Sequence, residues 1–356
     1  MKLEAACKTT AMGIMPHTDI DKALELAMGL DIPFWPQLPN LSFHEDMYAQ
    51  TAVHFPGVSI DEVGKRVNFD TARFEEELAA YSEAMASAET FALSAEHSLS
   101  YHRFLGRDLQ RYAAIRGQLT GPISFGFRVV DERARPIIYS EAVRTILFDF
   151  IQRKANAQYR ELLTKNENAF VWLDEPGLGW VFSGMTGYDD REAKGDYHSF
   201  LQGIAGPRAI HLCANVILTY LLELGVDILS FDAYQLEVMP KGYASAVSEF
   251  LKAGKIISWG IVPTDSTALG AETPETLANR LSGYWQRIAQ HSELTARQIA
   301  RQALIAPSRC CLKNVGRVGS IDDIAEPCLT DFAAATIEEG LVGESLCLPW
   351  PGVAAP

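Results

Sequence analysis

The fold class this sequence predicts is α/β, a single (β/α)8 TIM barrel with a helical insertion after its second strand, and three observations predict it. Short apolar runs alternate with long amphipathic stretches from the first residues to about Leu341, which is the pattern that βα units produce. The apolar runs number eight, and eight strands joined by helical crossovers close most economically into a barrel. Polar residues close several of the later runs, as they do where strand ends converge on a site.

The runs read as strands are Ala5 to Gly13, Ile32 to Leu38, Ala113 to Ile123, Ala169 to Asp174, Ala209 to Ala214, Asp227 to Asp232, Ile256 to Val262 and Leu304 to Cys311. Between them, Asp19 to Met28, Ser140 to Leu163, Val216 to Leu224, Tyr243 to Ala253 and Pro274 to His291 carry helical patterning. Thr273 before Pro274, with Glu275 in the first turn, is a helix start. Gly225 and Gly254 fall where two helices end, as residues that tolerate the left-handed cap do. The stretch from about 69 to 110 reads as the helical insertion. The expected organisation is one catalytic barrel over residues 1–345 and a Pro-rich, frayed tail over 346–356. A second domain around 40–112 is the alternative. An open doubly wound sheet would carry a Gly-rich phosphate loop after the first strand, and that loop is missing.

A chain of 356 residues with 48% apolar content can fill one large core. Its charge of −14 is spread over 45 acidic and 31 basic residues without a long single-sign block, which argues against nucleic acid or an anionic membrane as partner. The N-terminus lacks the apolar core of a signal peptide, and no segment offers about 18 uninterrupted apolar residues. A cytoplasmic protein is expected. Six cysteines are too few and too irregular for a disulfide framework in a chain this long, so thiol or metal chemistry is the better reading.

His211 and Cys213 lie two apart on a strand, so their side chains share one face, roughly 7 Å apart at Cα. An imidazole and a thiol in that relation, with Cys310 at another strand end and Asp232 between them, form a nitrogen and sulfur set suited to tetrahedral zinc. A His-x-Cys pair alone is more often coincidence; its placement at converging strand ends is what favours the ligand reading. Cys311 remains an alternative to Cys310, since adjacent residues can trade faces at a bulge. Cys7, Cys328 and Cys347 read as ordinary buried thiols. Asp174 closes its strand before Glu175-Pro176, and its bland reading is a helix cap or an arginine partner. Trp35 and Trp180, near strand ends, are candidates to line a pocket or simply to pack.

Taken in order, Thr9-Thr10-Ala11-Met12-Gly13, Leu119-Thr120-Gly121-Pro122, Leu173-Asp174-Glu175-Pro176, His211-Leu212-Cys213, Asp232 and Cys310-Cys311-Leu312-Lys313 resemble the catalytic, C-terminal barrel of the cobalamin-independent methionine synthases. That superfamily also holds uroporphyrinogen decarboxylase and the zinc methylcobalamin:thiol methyltransferases. The resemblance spans nearly the whole chain. It implies zinc held by His211, Cys213, Asp232 and Cys310, and Asp174 holding the amino group of homocysteine. Gly13, Ile14 and Thr120 fall on substrate-binding motifs, with Arg128 and Trp35 as further lining. The implied reaction is methyl transfer to a zinc-bound thiolate, giving methionine. Only the anion of a thiol attacks, and a thiol of pKa about 8.5 is mostly protonated at neutral pH. A bound metal removes that obstacle.

The sequence departs from the family at five points. The carboxylate ligand is Asp232 rather than Glu, shorter by one C–C bond, about 1.5 Å. Ile14 replaces the serine after the first-strand glycine. Arg128 stands where a pterin-stacking tryptophan is expected. Asp265 stands where a histidine would serve proton transfer to folate, which makes Asp265 a catalytic candidate. The N-terminal barrel of the full-length enzymes has no counterpart. The last three of these favour a methyl-corrinoid donor, carried by a partner protein, over methyltetrahydrofolate. A methylcobalamin transferase acting on another thiol is an alternative, and a non-catalytic zinc barrel binding a thiol or a corrinoid protein is a second. A decarboxylase would need cationic groups that the run IPFWPQLP over 32–39 does not offer.

Overall fold

A computed structural model of the protein describes residues 3–181, 186–213, 217–236 and 242–311. Its nine strands are β1 (Lys8–Thr9), β2 (Val58–Asp61), β3 (Arg66–Phe69), β4 (Ile115–Thr120), β5 (Ala169–Asp174), β6 (Arg208–Leu212), β7 (Ile228–Asp232), β8 (Ile256–Val262) and β9 (Ala303–Pro307). Seven of them form a curled parallel sheet in the order β1-β9-β8-β7-β6-β5-β4. Every residue of β4, β5, β7, β8 and β9 is buried. Parallel strands covered on both faces read as continuous apolar runs, which is why the sequence located β5, β7 and β8 so closely.

The first two expected strands are shorter than the sequence suggests. Only Lys8 and Thr9 ladder with β9, because Ala6 and Cys7 take positive φ of 40° and 60° and bend the chain out of extended geometry. The 32–38 run forms no ladder. It contacts both edges of the sheet through isolated bridges, Ile14 with Gln37 and Phe34 with Arg116. Ile32 N donates to Thr9 O at 3.0 Å, Gln37 N to Gly13 O at 2.7 Å, and Arg116 N to Pro33 O at 3.0 Å. Pro33 and Pro36 have no N–H to offer a ladder, so regular pairing is interrupted where the chain still runs beside both neighbours.

The helices fall where their patterning placed them. Ile20–Met28 is capped by Asp19, Glu141–Leu163 covers β4 and β5, and Pro274–Gln290 opens on a capping box between Thr273 and Thr276. Gly225 and Gly254 adopt φ of +87° and +76° after Leu218–Glu223 and Tyr243–Lys252, the left-handed conformation that glycine accepts without penalty. The insertion contains the helices Thr71–Ala84 and Leu99–Leu105. It is preceded by the antiparallel hairpin of β2 and β3, whose short polar runs gave no strand signal. Leu312, Lys313, Cys328, Cys347 and the 346–356 tail lie outside the described residues.

Two apolar clusters flank the sheet. The larger packs the helices against one face. The smaller joins Met12, Ile32, Phe170, Trp172, Ile228 and Leu304 on the inner face of the curl. Each side chain so buried contributes about 1.5–3 kcal/mol, and the inner cluster forms the floor on which the polar strand ends stand. No helix among the described residues is long and apolar enough to cross a membrane.

Candidate functional site

The register of the sheet aligns a polar row near the carboxyl ends of its strands: Thr120 opposite Asp174, Asp174 opposite His211, His211 opposite Ser230, and Ser230 opposite Ser258. In-register residues of parallel strands share a face, and the row belongs to the same phase as Trp172 and Ile228 two residues below. Catalytic groups in α/β barrels occupy this end.

His211 is 1% exposed. Its Nδ1 lies 3.0 Å from Ser230 Oγ, its ring meets the Trp172 ring edge-on at 5.9 Å, and its Nε2 is buried with no hydrogen-bond partner. Burial, with the charge of Arg116, holds its pKa down to about 3, so the imidazole is neutral and one nitrogen is left to accept or coordinate. A histidine anchored through one nitrogen and open at the other is the arrangement metal ligands show.

Asp174 is 8% exposed. Burial pushes its carboxyl up to about 7, and Arg116 opposes that rise. Arg116 itself lies between the rings of Phe34 and Trp172, 4.6 Å from each centroid. Its Nε donates to Thr10 Oγ1 at 3.2 Å, one Nη to Gln118 Oε1 at 3.0 Å and the other to Ala11 O. Burial lowers its pKa to about 9, which still leaves the guanidinium charged at neutral pH. The neighbouring Glu175 accepts from Ile123 N at 3.2 Å, Ser124 N at 2.8 Å and Ser124 Oγ at 2.6 Å. It thereby caps the helix Pro122–Arg128, whose own N-cap Gly121 provides no side-chain bond. The bland reading of the Asp-Glu-Pro turn is thus divided: Glu175 is the helix cap and Asp174 the carboxylate near an arginine.

Burial raises the Cys213 thiol to about 11, with Asp174 adding to the effect. The Cys310 thiol is pushed well up by burial, then by Cys213 and Asp174. The two sulfurs therefore feel each other, and in these surroundings both are protonated until a cation offsets the burial. Cys310 packs beside the inner cluster, whereas Cys311 belongs to the cluster under the helices. The adjacent cysteines take opposite sides of the strand end. Asp232 Oδ2 accepts from Arg309 Nε at 2.9 Å, and burial raises its carboxyl while Arg309 opposes the rise. Among the described residues no group of three His, Cys, Asp or Glu is gathered closely enough to hold a metal ion. The donor chemistry of His211, Cys213 and Cys310 nonetheless fits zinc, chiefly through the unpartnered buried Nε2.

The remaining candidates are dispersed. Thr120 Oγ1 donates to Met47 O at 3.2 Å. Gly13 lies so close to Gln118 that an added Cβ would stand 2.4 Å from that side chain, and Ile14 is buried in its bridge to Gln37. Trp35 turns away from the row to pack on Tyr101 at 5.2 Å, lining a cavity of about 20 Å³, which has space for water and none for an amino acid. Its neighbour Phe34 holds the inward phase. Arg128 is exposed at the end of its helix, 5.9 Å from the Tyr48 ring. Asp265 caps a short helix after β8, its Oδ1 accepting from Thr267 N and Ala268 N at 3.0 and 2.9 Å. Trp180 is half exposed, edge-on to Phe127 at 5.8 Å.

Sequence reasoning did not single out Arg116, Ser230, Glu175 or Arg309. The period-2 phase shared with Thr120 and Gln118 was the signal for Arg116, and the i−2 relation to Asp232 was the signal for Ser230.

A solved structure of similar fold is a B12-independent methionine synthase from Shewanella sp. W3-18-1 in complex with selenomethionine. It superposes with a TM-score of 0.54 at 13% identity, over 95% of this chain and 99% of that one. The chain shares the fold of the B12-independent methionine synthases. A putative vitamin-B12-independent methionine synthase from Listeria monocytogenes superposes with a TM-score of 0.51 at 13% identity, over 92% of this chain and 87% of that one. No protein-family model and no curated protein matches the sequence.

Proposed function

We propose that the chain is a zinc-dependent methyltransferase that moves a methyl group onto a thiol, homocysteine giving methionine. The observation that carries this reading is the polar row itself: a neutral, anchored His211 with its Nε2 unpartnered, opposite a buried Asp174. In this reading the 32–38 segment is the eighth stave and closes the sheet into a full barrel. The likeness in fold to methionine synthases supports it at the level of architecture.

His211, Cys213 and Cys310 would hold the zinc, and Asp232 would be the oxygen ligand that can exchange. The metal, when bound, supplies the Lewis acidity that allows a thiol to lose its proton near neutral pH. Ser230 keeps the His211 ring in place. Asp174 receives the ammonium of the amino acid, and the inner apolar cluster keeps water from beneath it. In the transfer a new S–CH3 bond forms as the bond from the methyl to its donor breaks, and the thiol proton departs. For the donor we favour a methyl-corrinoid carried by a partner protein over methyltetrahydrofolate, because Arg128 is an exposed cation beside Tyr48 rather than a stacking surface.

Zinc-edge X-ray absorption on the purified protein, with and without homocysteine, tests the reading. Two sulfur ligands rising to three on adding the thiol is the expected result. A protein that binds no zinc, or a sulfur count that does not change, would overturn it. Parallel turnover with methylcobalamin and with methyltetrahydrofolate decides the donor.

A further inference from the structure

Asp232 is the one member of the proposed ligand set whose side chain already has a charged partner. Its carboxylate is almost wholly buried, while Arg309 is 44% exposed. Oδ2 accepts from Arg309 Nε at 2.9 Å and Oδ1 from Gln235 N at 3.3 Å, so both oxygens are engaged. The pairing spans two strands, since Asp232 ends β7 and Arg309 follows β9, with β8 between them.

The fold makes that reach possible at Gly260. This residue lies opposite Asp232 in β8 and opposite Ala306 in β9. A Cβ there would stand 2.6 Å from Phe231 O and 2.9 Å from Ser308 Cα, so only glycine lets the chain after β9 lie this close. Ser308 N donates to Val262 O at 2.7 Å and fixes the turn. Arg309 is thereby delivered over the glycine to the end of β7, and the next residue, Cys310, is placed beside the inner cluster.

We propose that Arg309 is a positioning residue of this site: it draws the Asp232 carboxylate away from the metal and so frees a coordination place for the incoming thiol. The inference rests on the methyltransferase reading and extends it. Zinc accepts carboxylate oxygen readily, and a carboxylate in competition with a thiol would slow the thiol's entry. A fixed guanidinium offers that carboxylate a charge-assisted alternative. It also keeps a further negative charge from crowding two cysteine sulfurs and a third from the substrate.

The test uses the full chain and two readouts besides turnover: zinc affinity by competition with a chromophoric chelator, and homocysteine binding to the zinc-loaded protein by calorimetry. Arg309→Met is expected to tighten zinc binding and to weaken homocysteine binding, each on the order of tenfold, the scale on which outer partners tune metal sites. Arg309→Lys should stay close to wild type. In the Asp232→Asn background, where the competing carboxylate is gone, Arg309→Met should change neither value by more than about threefold. A merely structural ion pair predicts the opposite sign, because its loss would disorder the site and loosen zinc. Looser or unchanged zinc binding in Arg309→Met, or an effect of Arg309→Met that persists in the Asp232→Asn background, overturns the proposal. A wild-type chain that binds no zinc fails the functional reading before any variant is compared.

Discussion

Asp174 and His211 face each other across the parallel ladder of β5 and β6, with the buried charge of Arg116 acting on both. A carboxyl raised to about 7 by burial gains from any cation that reaches it, which suits recognition of an ammonium group. Asp174→Asn is expected to raise KM for homocysteine about 10- to 100-fold, the value of a hydrogen bond to a charged group, with zinc content unchanged. The same variant should barely affect a thiol acid of equal length that lacks the amino group. Steady-state kinetics on the two thiols checks this, and an equal loss on both would assign Asp174 another role.

Glu175 and Gly121 form one device. The Glu175 carboxylate caps Pro122–Arg128, and a Cβ on Gly121 would stand 2.2 Å from its Oε1. Gly121→Ala should therefore cost about 1–3 kcal/mol, the range of an overpacked core. Glu175→Ala should cost a similar amount, by leaving the N–H groups of Ile123 and Ser124 without an acceptor. Thermal denaturation reads both losses. If Gly121→Ala melts with the wild type, the carboxylate is free to move and the cap is not rigid.

Arg116 is held between Phe34 and Trp172, and no carboxylate lies within ion-pair distance among the described residues. Its hydrogen bonds go to Thr10, Ala11, Gly117 and Gln118, so it ties the chain after β1 to β4. Arg116→Met keeps apolar contact with the two rings but strands those acceptors, and a loss of about 2–4 kcal/mol is expected. Denaturant titration would measure it. A variant as stable as wild type would show that removing the buried charge offsets the lost hydrogen bonds.

What the sequence revealed, and what it concealed, follows from range of interaction. β5 and β8 were located to the residue because both faces of each strand are covered and every position but the terminal Asp174 is apolar or small. Asp174, His211 and Cys213 were legible as polar residues ending apolar runs. The 32–38 run was misread as a regular strand because hydrophobicity counts its prolines as neutral, whereas the ladder needs their missing N–H groups. Trp35 was left between lining a pocket and packing, since a segment without a ladder declares no register. Arg116 was hidden because one charged residue in an apolar run reads as an exception, and its aromatic partners come from segments far away in the chain. The pairing of Arg309 with Asp232 depends on Gly260 in a third strand, which no local pattern signals.

Lys154 gives the fold a pH dependence of its own, away from the site. Its ammonium is buried and donates to Gln50 O at 2.8 Å, Val53 O at 3.0 Å and Thr51 O at 3.3 Å. Burial lowers its pKa from 10.5 to about 7, although three carbonyl acceptors favour the charged form. Because the folded pKa lies below the unfolded one, the unfolded chain binds the extra proton between about pH 7 and 10.5. This residue's contribution to stability is complete above the unfolded pKa and is lost as pH falls toward 7. Its share of the slope reaches at most about 1.4 kcal/mol per pH unit. Lys154→Met should remove that share, so the wild type gains on the variant as pH rises from 7 to 9. Urea titrations of both proteins at the two pH values measure the difference. A constant gap would mean that the three carbonyls keep Lys154 charged throughout, and that its role is purely to fasten Glu141–Leu163 to the 50–53 turn.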